Sequence, residues 1–153
     1  MEVSSGSRWE RLLKDGAMLD APNTTRYQNL FKGLTLGNLV LHYLTTSLTR
    51  EKSMQSSVVR ASRVASDVTV VPTAVGEKIV AKCSKVVVLP KPIPYLELNQ
   101  IPKKSKGFAK LLRAYMQRYL TQITKSDFES ILEIYPANKK RFLKSPLGRS
   151  LSR

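Results

Sequence analysis

From Phe108 to Ile123 the apolar residues advance in steps of 3, 1, 3, 1, 3, 1 and 3. Phe108, Leu111, Leu112, Tyr115, Met116, Tyr119, Leu120 and Ile123 therefore fall on one stripe of a 3.6-residue helix. The opposite face carries Lys110, Arg113 and Gln117, with Arg118 on its flank. This spacing predicts an amphipathic helix over residues 106–124. Ser126-Asp127-Phe128-Glu129 has the spacing of a capping box and predicts a further helix to Tyr135, stopped by Pro136. Phe142, Leu143 and Leu147 can anchor part of the C-terminal segment, and residues 145–153 are expected to form a disordered tail.

The N-terminal third also reads as helical. Ser7-Arg8-Trp9-Glu10 is another capping-box pattern, followed by Leu12 and Leu13 and stopped by Gly16. Tyr27, Leu30, Phe31 and Leu34 make one stripe, and from Leu36 to Leu44 apolar side chains fall on every side. A helix apolar all round belongs in a core. Residues 25–48 are accordingly expected to form one long helix, or two broken near Gly37-Asn38. Residues 49–66 are polar and serine-rich, the expected mobile loop or linker. Within them Arg60-Ala61-Ser62 and Arg63-Val64-Ala65-Ser66 resemble substrates of basophilic kinases.

The pattern turns to alternation after Asp67. DVTVV and KIVAKCSKVVVL are rich in β-branched residues, with Gly76-Glu77 as the turn between them. Lys78, Val80, Lys82 and Ser84 point one way, toward water; Ile79, Ala81, Cys83 and Lys85 point the other. The run from Val86 to Leu89 suits a strand covered on both faces. Pro90, Pro92 and Pro94 come next, at alternate positions. In an extended strand they delete three donors from one edge, which fits an outermost strand paired on one side only. Helices, then strands, then helices without βαβ alternation define an α+β fold. The expectation is a single domain over residues 1–153, with N-terminal helices, a small central antiparallel β region and C-terminal amphipathic helices.

Charge adds what the pattern cannot. Of 153 residues, 26 are Lys or Arg and 11 are Asp or Glu, a net charge of +15. Residues 103–153 hold thirteen basic and three acidic side chains, so two thirds of the excess lies in the last third of the chain. Such a field attracts polyanions. The candidate nucleic-acid-binding residues are Arg60 and Arg63; Lys103, Lys104 and Lys106; the helix face Lys110, Arg113 and Arg118; and Lys139, Lys140, Arg141 and Lys144.

Other chemistry is thinly represented. One cysteine, Cys83, and one histidine, His42, cannot build a zinc site of about four N/S ligands. They also fall on a predicted strand and within an apolar run, which reads as core rather than catalysis. Neither a P-loop nor G-x-G-x-x-G occurs. The expectation is a protein that is not an enzyme, with no metal and no cofactor. Its partner is nucleic acid, RNA before DNA, bound with little regard for sequence, in a structural or accessory role of ribonucleoprotein or viral type. The alternative is a matrix-type interaction protein that docks on an anionic membrane surface and self-associates. The N-terminus lacks the apolar core of a signal peptide, which places the expected site of action inside the cell, in cytoplasm or nucleus.

Overall fold

Val68–Gly76 is a stretch without charge, and it carries the turn on which the largest part of the fold is built. The computed structural model describes residues 2–4, 18–44, 56–113 and 120–149. Strand β5 (Thr69–Thr73) turns through Ala74-Val75 into β6 (Gly76–Pro94). Gly76 has φ +115°, a conformation that β-carbon sterics discourage in other residues. The Thr73 hydroxyl donates to the Gly76 carbonyl at 2.6 Å and closes the turn. Strand β4 (Ser57–Val64) lies on the same side of β6 as β5, with Val64 facing Cys83 and Thr69 facing Val80. At the joint, Ala65 N–H donates to the Lys82 carbonyl (2.7 Å), and Lys82 N–H donates to Ser66 Oγ (2.9 Å). Residues 57–94 thus form one long antiparallel hairpin whose first arm is β4 plus β5.

The rest of the sheet grows outward from this hairpin. Strand β3 (Leu39–Leu44) pairs antiparallel with β4, and β1 (Glu2–Ser4) pairs parallel with β3. Strand β2 (Met18–Pro22) pairs with the first half of β6. The order is β1-β3-β4/β5-β6-β2, a curled, half-barrel sheet of five positions. The helices gather mostly on its C-terminal side: α1 (Thr25–Phe31), then α2 (Tyr95–Asn99), α3 (Lys106–Arg113), α4 (Lys125–Glu133), α5 (Pro136–Lys144) and α6 (Pro146–Arg149).

This overturns the expected small β region flanked by N-terminal helices. The sheet is the large part of the fold, and the helix expected over 25–48 is the seven-residue α1 followed by strand β3. The reason lies in burial. On β3, Val40 packs into one core cluster and Leu41 into another on the opposite face. A strand covered on both faces is apolar all round, as a buried helix is, so periodicity cannot separate them. The expected loop 49–66 is corrected for the same reason, since its residues 57–64 are the hairpin arm β4. Ser57, Arg60 and Ser62 are buried there, and Ser62 Oγ lies 2.7 Å from Nε2 of buried His42 on β3. A buried Ser62 is not open to a kinase. Residues 49–55, like the helix expected from Ser7, lie outside the described residues.

On β6, Ile79, Ala81 and Cys83 of the inward set are buried as the alternation implies and Lys82 is exposed, but Lys85, expected on the inward side, is exposed. Val80 is an exception, buried on the face expected to be wet. Val86 to Leu89 is not covered on both faces: Val87 and Leu89 are buried while Val88 is half exposed. Two irregularities bend the strand. Ala61 faces Val87 and Arg63 faces Ser84, so Ser62 alone opposes Lys85-Val86, with Lys85 at φ +52°. Farther on, Arg60 faces Val88 and Val58 faces Ile93, so Val59 opposes the four residues Leu89-Pro90-Lys91-Pro92. Such bulges strengthen the local twist, which a curled sheet needs.

Strand prolines stand where their missing N–H faces an open edge. Tyr95 N–H donates to the Ser56 carbonyl, so Tyr95 and Ile93 turn toward β4 while Pro92 and Pro94 turn away. Asn23 N–H donates to the Glu77 carbonyl, so Glu77 turns toward β2, and Pro72, its partner on β5, faces outward. By the same alternation Pro22 faces away from β6.

The larger core lies between the sheet and α2–α6, with Leu41, Val58, Val87, Ile93, Phe108, Ile131 and Phe142 among its members. The second lies around β2 and α1, with Leu19, Phe31, Val64, Ala81 and Leu120. Of the helix expected over 106–124, α3 accounts for Lys106–Arg113, and Tyr115, Met116 and Tyr119 lie outside the described residues; Leu120 sits in an isolated bridge in the second core and Ile123 is not helical, so the eight-residue stripe does not stay on one helix. The expected tail is also corrected in part. Pro146–Arg149 is helical, Leu147 is fully buried, and a Cβ on Gly148 would collide with the Phe142 carbonyl.

Candidate functional site

α3 buries Phe108, Leu111 and Leu112, and this rotation presents Lys106, Lys110 and Arg113 to water at positions i, i+4 and i+7. Lys103, just before it, is exposed, and the Lys104 ammonium donates to the Asn99 carbonyl at 2.7 Å. α5 repeats the scheme: Asn138 and Phe142 are buried, and Lys140, Arg141 and Lys144 are exposed. Among the described residues, none of the seven exposed cations Lys103, Lys106, Lys110, Arg113, Lys140, Arg141 and Lys144 has an ion-pair partner.

Asp127 joins the two helices through α4. Thr124 caps α4, with its hydroxyl accepting from Asp127 N–H, and the Asp127 carboxylate accepts from Thr124 N–H (2.9 Å) and Thr124 Oγ (2.7 Å). The same carboxylate accepts from Ser105 N–H (3.0 Å), which fixes the start of α3 against the start of α4. The capping box therefore begins at Thr124 rather than Ser126. Burial disfavours the Asp127 charge, but the hydrogen bonds from Ser105 and Thr124 outweigh it and hold the carboxyl below its usual range. α4 meets α5 through Phe128 and Phe142, edge to face with ring centroids 5.3 Å apart.

α5 is tied to the sheet by an amide pair. Asn138 Oδ1 accepts from Lys91 N–H (3.0 Å), and Asn138 Nδ2 donates to the Lys91 carbonyl (2.7 Å). The fully buried Asn138 thus completes the backbone bonds of the proline bulge as a neighbouring strand would. The Lys91 ammonium lies 3.8 Å from the centroid of the Tyr135 ring, a cation–π contact at the start of α5. Neither Lys91 nor Asn138 stood out in the sequence. A lysine between two prolines was the available signal for the first.

The remaining expected site residues are placed otherwise. Arg60 has 0% exposure and faces His42 across β3 and β4, so it is part of the sheet interior and not a surface contact. Arg63 is half-buried on the same strand. Lys139 is exposed but engaged, 2.6 Å from Glu133, which holds its ammonium protonated above the usual range. Arg118 lies outside the described residues. Cys83 and His42 are both buried on separate strands, paired in register with Val64 and Arg60 respectively. No group of three or more His, Cys, Asp or Glu among the described residues could hold a metal ion. No helix among them is long and apolar enough to cross a membrane.

A groove of about 890 Å³ lies between α1, the chain before β3, and α4–α5. Leu30, Leu34, Leu132 and Phe142 line it, and the charged groups on its rim pair with each other: Lys139 with Glu133, and Lys125 with Glu129 at 3.8 Å. A groove with self-neutralised charges exerts little pull on a polyanion, which leaves the exposed faces of α3 and α5 as the stronger candidate.

No protein-family model and no curated protein matches the sequence. Among solved structures the fold is similar to the NMR structure of Rpa0253 from Rhodopseudomonas palustris. The TM-score is 0.58 at 12% identity, over 88% of this chain and 90% of that one. At that identity the likeness is one of fold.

Proposed function

We propose that this is a non-enzymatic nucleic-acid-binding protein, of RNA before DNA, that grips the phosphate backbone through α3, α5 and the lysines preceding α3. The observation that supports it is the set of seven exposed cations without ion-pair partners among the described residues, six on two helices joined through α4 and Lys103 just before the first of them. Phosphate contacts release condensed counterions, so the binding constant falls with added salt in proportion to the contacts made. With about six contacts, affinity drops by roughly three orders of magnitude between about 50 and about 200 mM salt. An intracellular role, in cytoplasm or nucleus, goes with this reading. A titration of labelled RNA across that salt range tests it. A steep loss of affinity with salt is expected, and no binding at about 50 mM salt refutes the proposal. A membrane-docking role predicts instead that the protein pellets with anionic vesicles and leaves RNA unbound.

A further inference from the structure

Resting on that reading, we infer that the bound nucleic acid is double-stranded and is held by its phosphates alone, with the bases making no contact. Proteins that hold single strands combine cations with exposed aromatic rings on which bases stack. Here the rings that the structure describes serve the protein's own packing. The four phenylalanines and Tyr43 are buried. Tyr95 is half-buried and donates its hydroxyl to the Leu112 carbonyl at 2.9 Å. Tyr135 is half-buried under the Lys91 ammonium, and Tyr27 is half-buried beside Arg26. No large aromatic residue is exposed among the described residues.

What α3 offers instead is a rigid row of charge. Lys106, Lys110 and Arg113 span seven helical steps, about 10 Å along the axis. The apolar face beneath them is seated in the core, so the backbone that carries the row holds one spacing. A ligand read only by charge is favoured by charge density. Duplex carries about one phosphate per 1.7 Å of axis, twice the density of one strand.

The test is a set of fluorescence-anisotropy titrations at about 50 mM salt, with phosphate concentrations matched. They compare a short RNA duplex, its separate strands, and single strands of uniform uridine and uniform adenosine. Inorganic polyphosphate serves as competitor. The expected result is duplex binding several-fold tighter than either strand, equal affinity for the two homopolymers, and displacement of the duplex by polyphosphate. Single strands that match or exceed the duplex overturn the inference, as does a marked difference between homopolymers or failure of polyphosphate to compete. Each of those outcomes leaves RNA binding itself intact. Absence of binding to every nucleic acid instead removes the nucleic-acid reading on which the inference stands.

Discussion

Replacing Asn138 by alanine tests the clamp between α5 and the proline bulge. The substitution removes both hydrogen bonds to Lys91 and leaves its backbone N–H and C=O facing a buried gap. Each bond is worth about 1 kcal/mol net, and each buried group left without a partner costs about 1–3 kcal/mol. Water can reach part of exposed Lys91 and lower that figure. The expected loss is therefore about 2–4 kcal/mol, or roughly 4–16 °C in Tm for a chain of this size. Urea denaturation measures it, with amide exchange at Lys91 as the local readout. That amide should exchange slowly in the native protein and fast in the variant. Asn138→Asp provides the control of mechanism. Its carboxylate can accept from Lys91 N–H but repels the Lys91 carbonyl, and only its protonated form can donate. The variant should gain stability relative to native protein as pH falls toward about 4. An N138A variant within about 0.5 kcal/mol of native, with Lys91 exchange unchanged, would refute the clamp.

Four other outcomes are expected. Gly148→Ala places a Cβ against the Phe142 carbonyl and should cost about 1–3 kcal/mol, read by thermal melting. Thr124→Ala removes the α4 cap and should cost about 1 kcal/mol, measured by urea denaturation. Because the folded carboxyl of Asp127 titrates below the unfolded one, its contribution is complete above about pH 4 and is lost as pH falls through the folded value. The stability gap between native protein and Asp127→Asn should therefore be largest near neutrality and close in acid. Neutralising Lys106, Lys110 and Arg113 together should lower the salt slope of RNA binding by about 2–3, whereas Lys82→Ala on the exposed face of β6 should leave it unchanged.

The hairpin from Thr69 to Cys83 was legible because each of its signals is local. Gly76 marks the reversal, although the turn itself falls at Ala74-Val75, just before the expected Gly76-Glu77, and alternation separates Ile79 and Ala81 from Lys82. Strand β3 was illegible because its neighbours cover both faces, which erases the period of two. Strand β4 was hidden by polar residues that the sheet interior accommodates, among them Ser62 beside His42. The exposed lysines of α3 were legible from its stripe, since the side opposite Phe108 and Leu112 must face water. The sequence pattern puts the cap at Ser126, whereas Thr124 caps α4 through Asp127, whose carboxylate is also held by the Ser105 amide, a contact between residues 22 positions apart. Asn138 sits beside Lys139-Lys140-Arg141, where charge draws attention away from the one buried amide.

The proline bulge also bears on how the sheet assembles in time. A hairpin closes fastest from its turn, because each new pair then encloses the shortest loop. From Thr73 and Gly76 the zipper can run, across the joint at residues 65–68 and the smaller bulge at Lys85-Val86, as far as Arg60 and Val88. There it must skip Leu89 to Pro92 before resuming at Ile93, and the groups stranded at Lys91 wait for Asn138, 47 residues on. The last rungs of a local hairpin are thereby made contingent on a distant helix. In a chain whose α5 has not docked, fraying should begin at Ile93 and leave the turn closed.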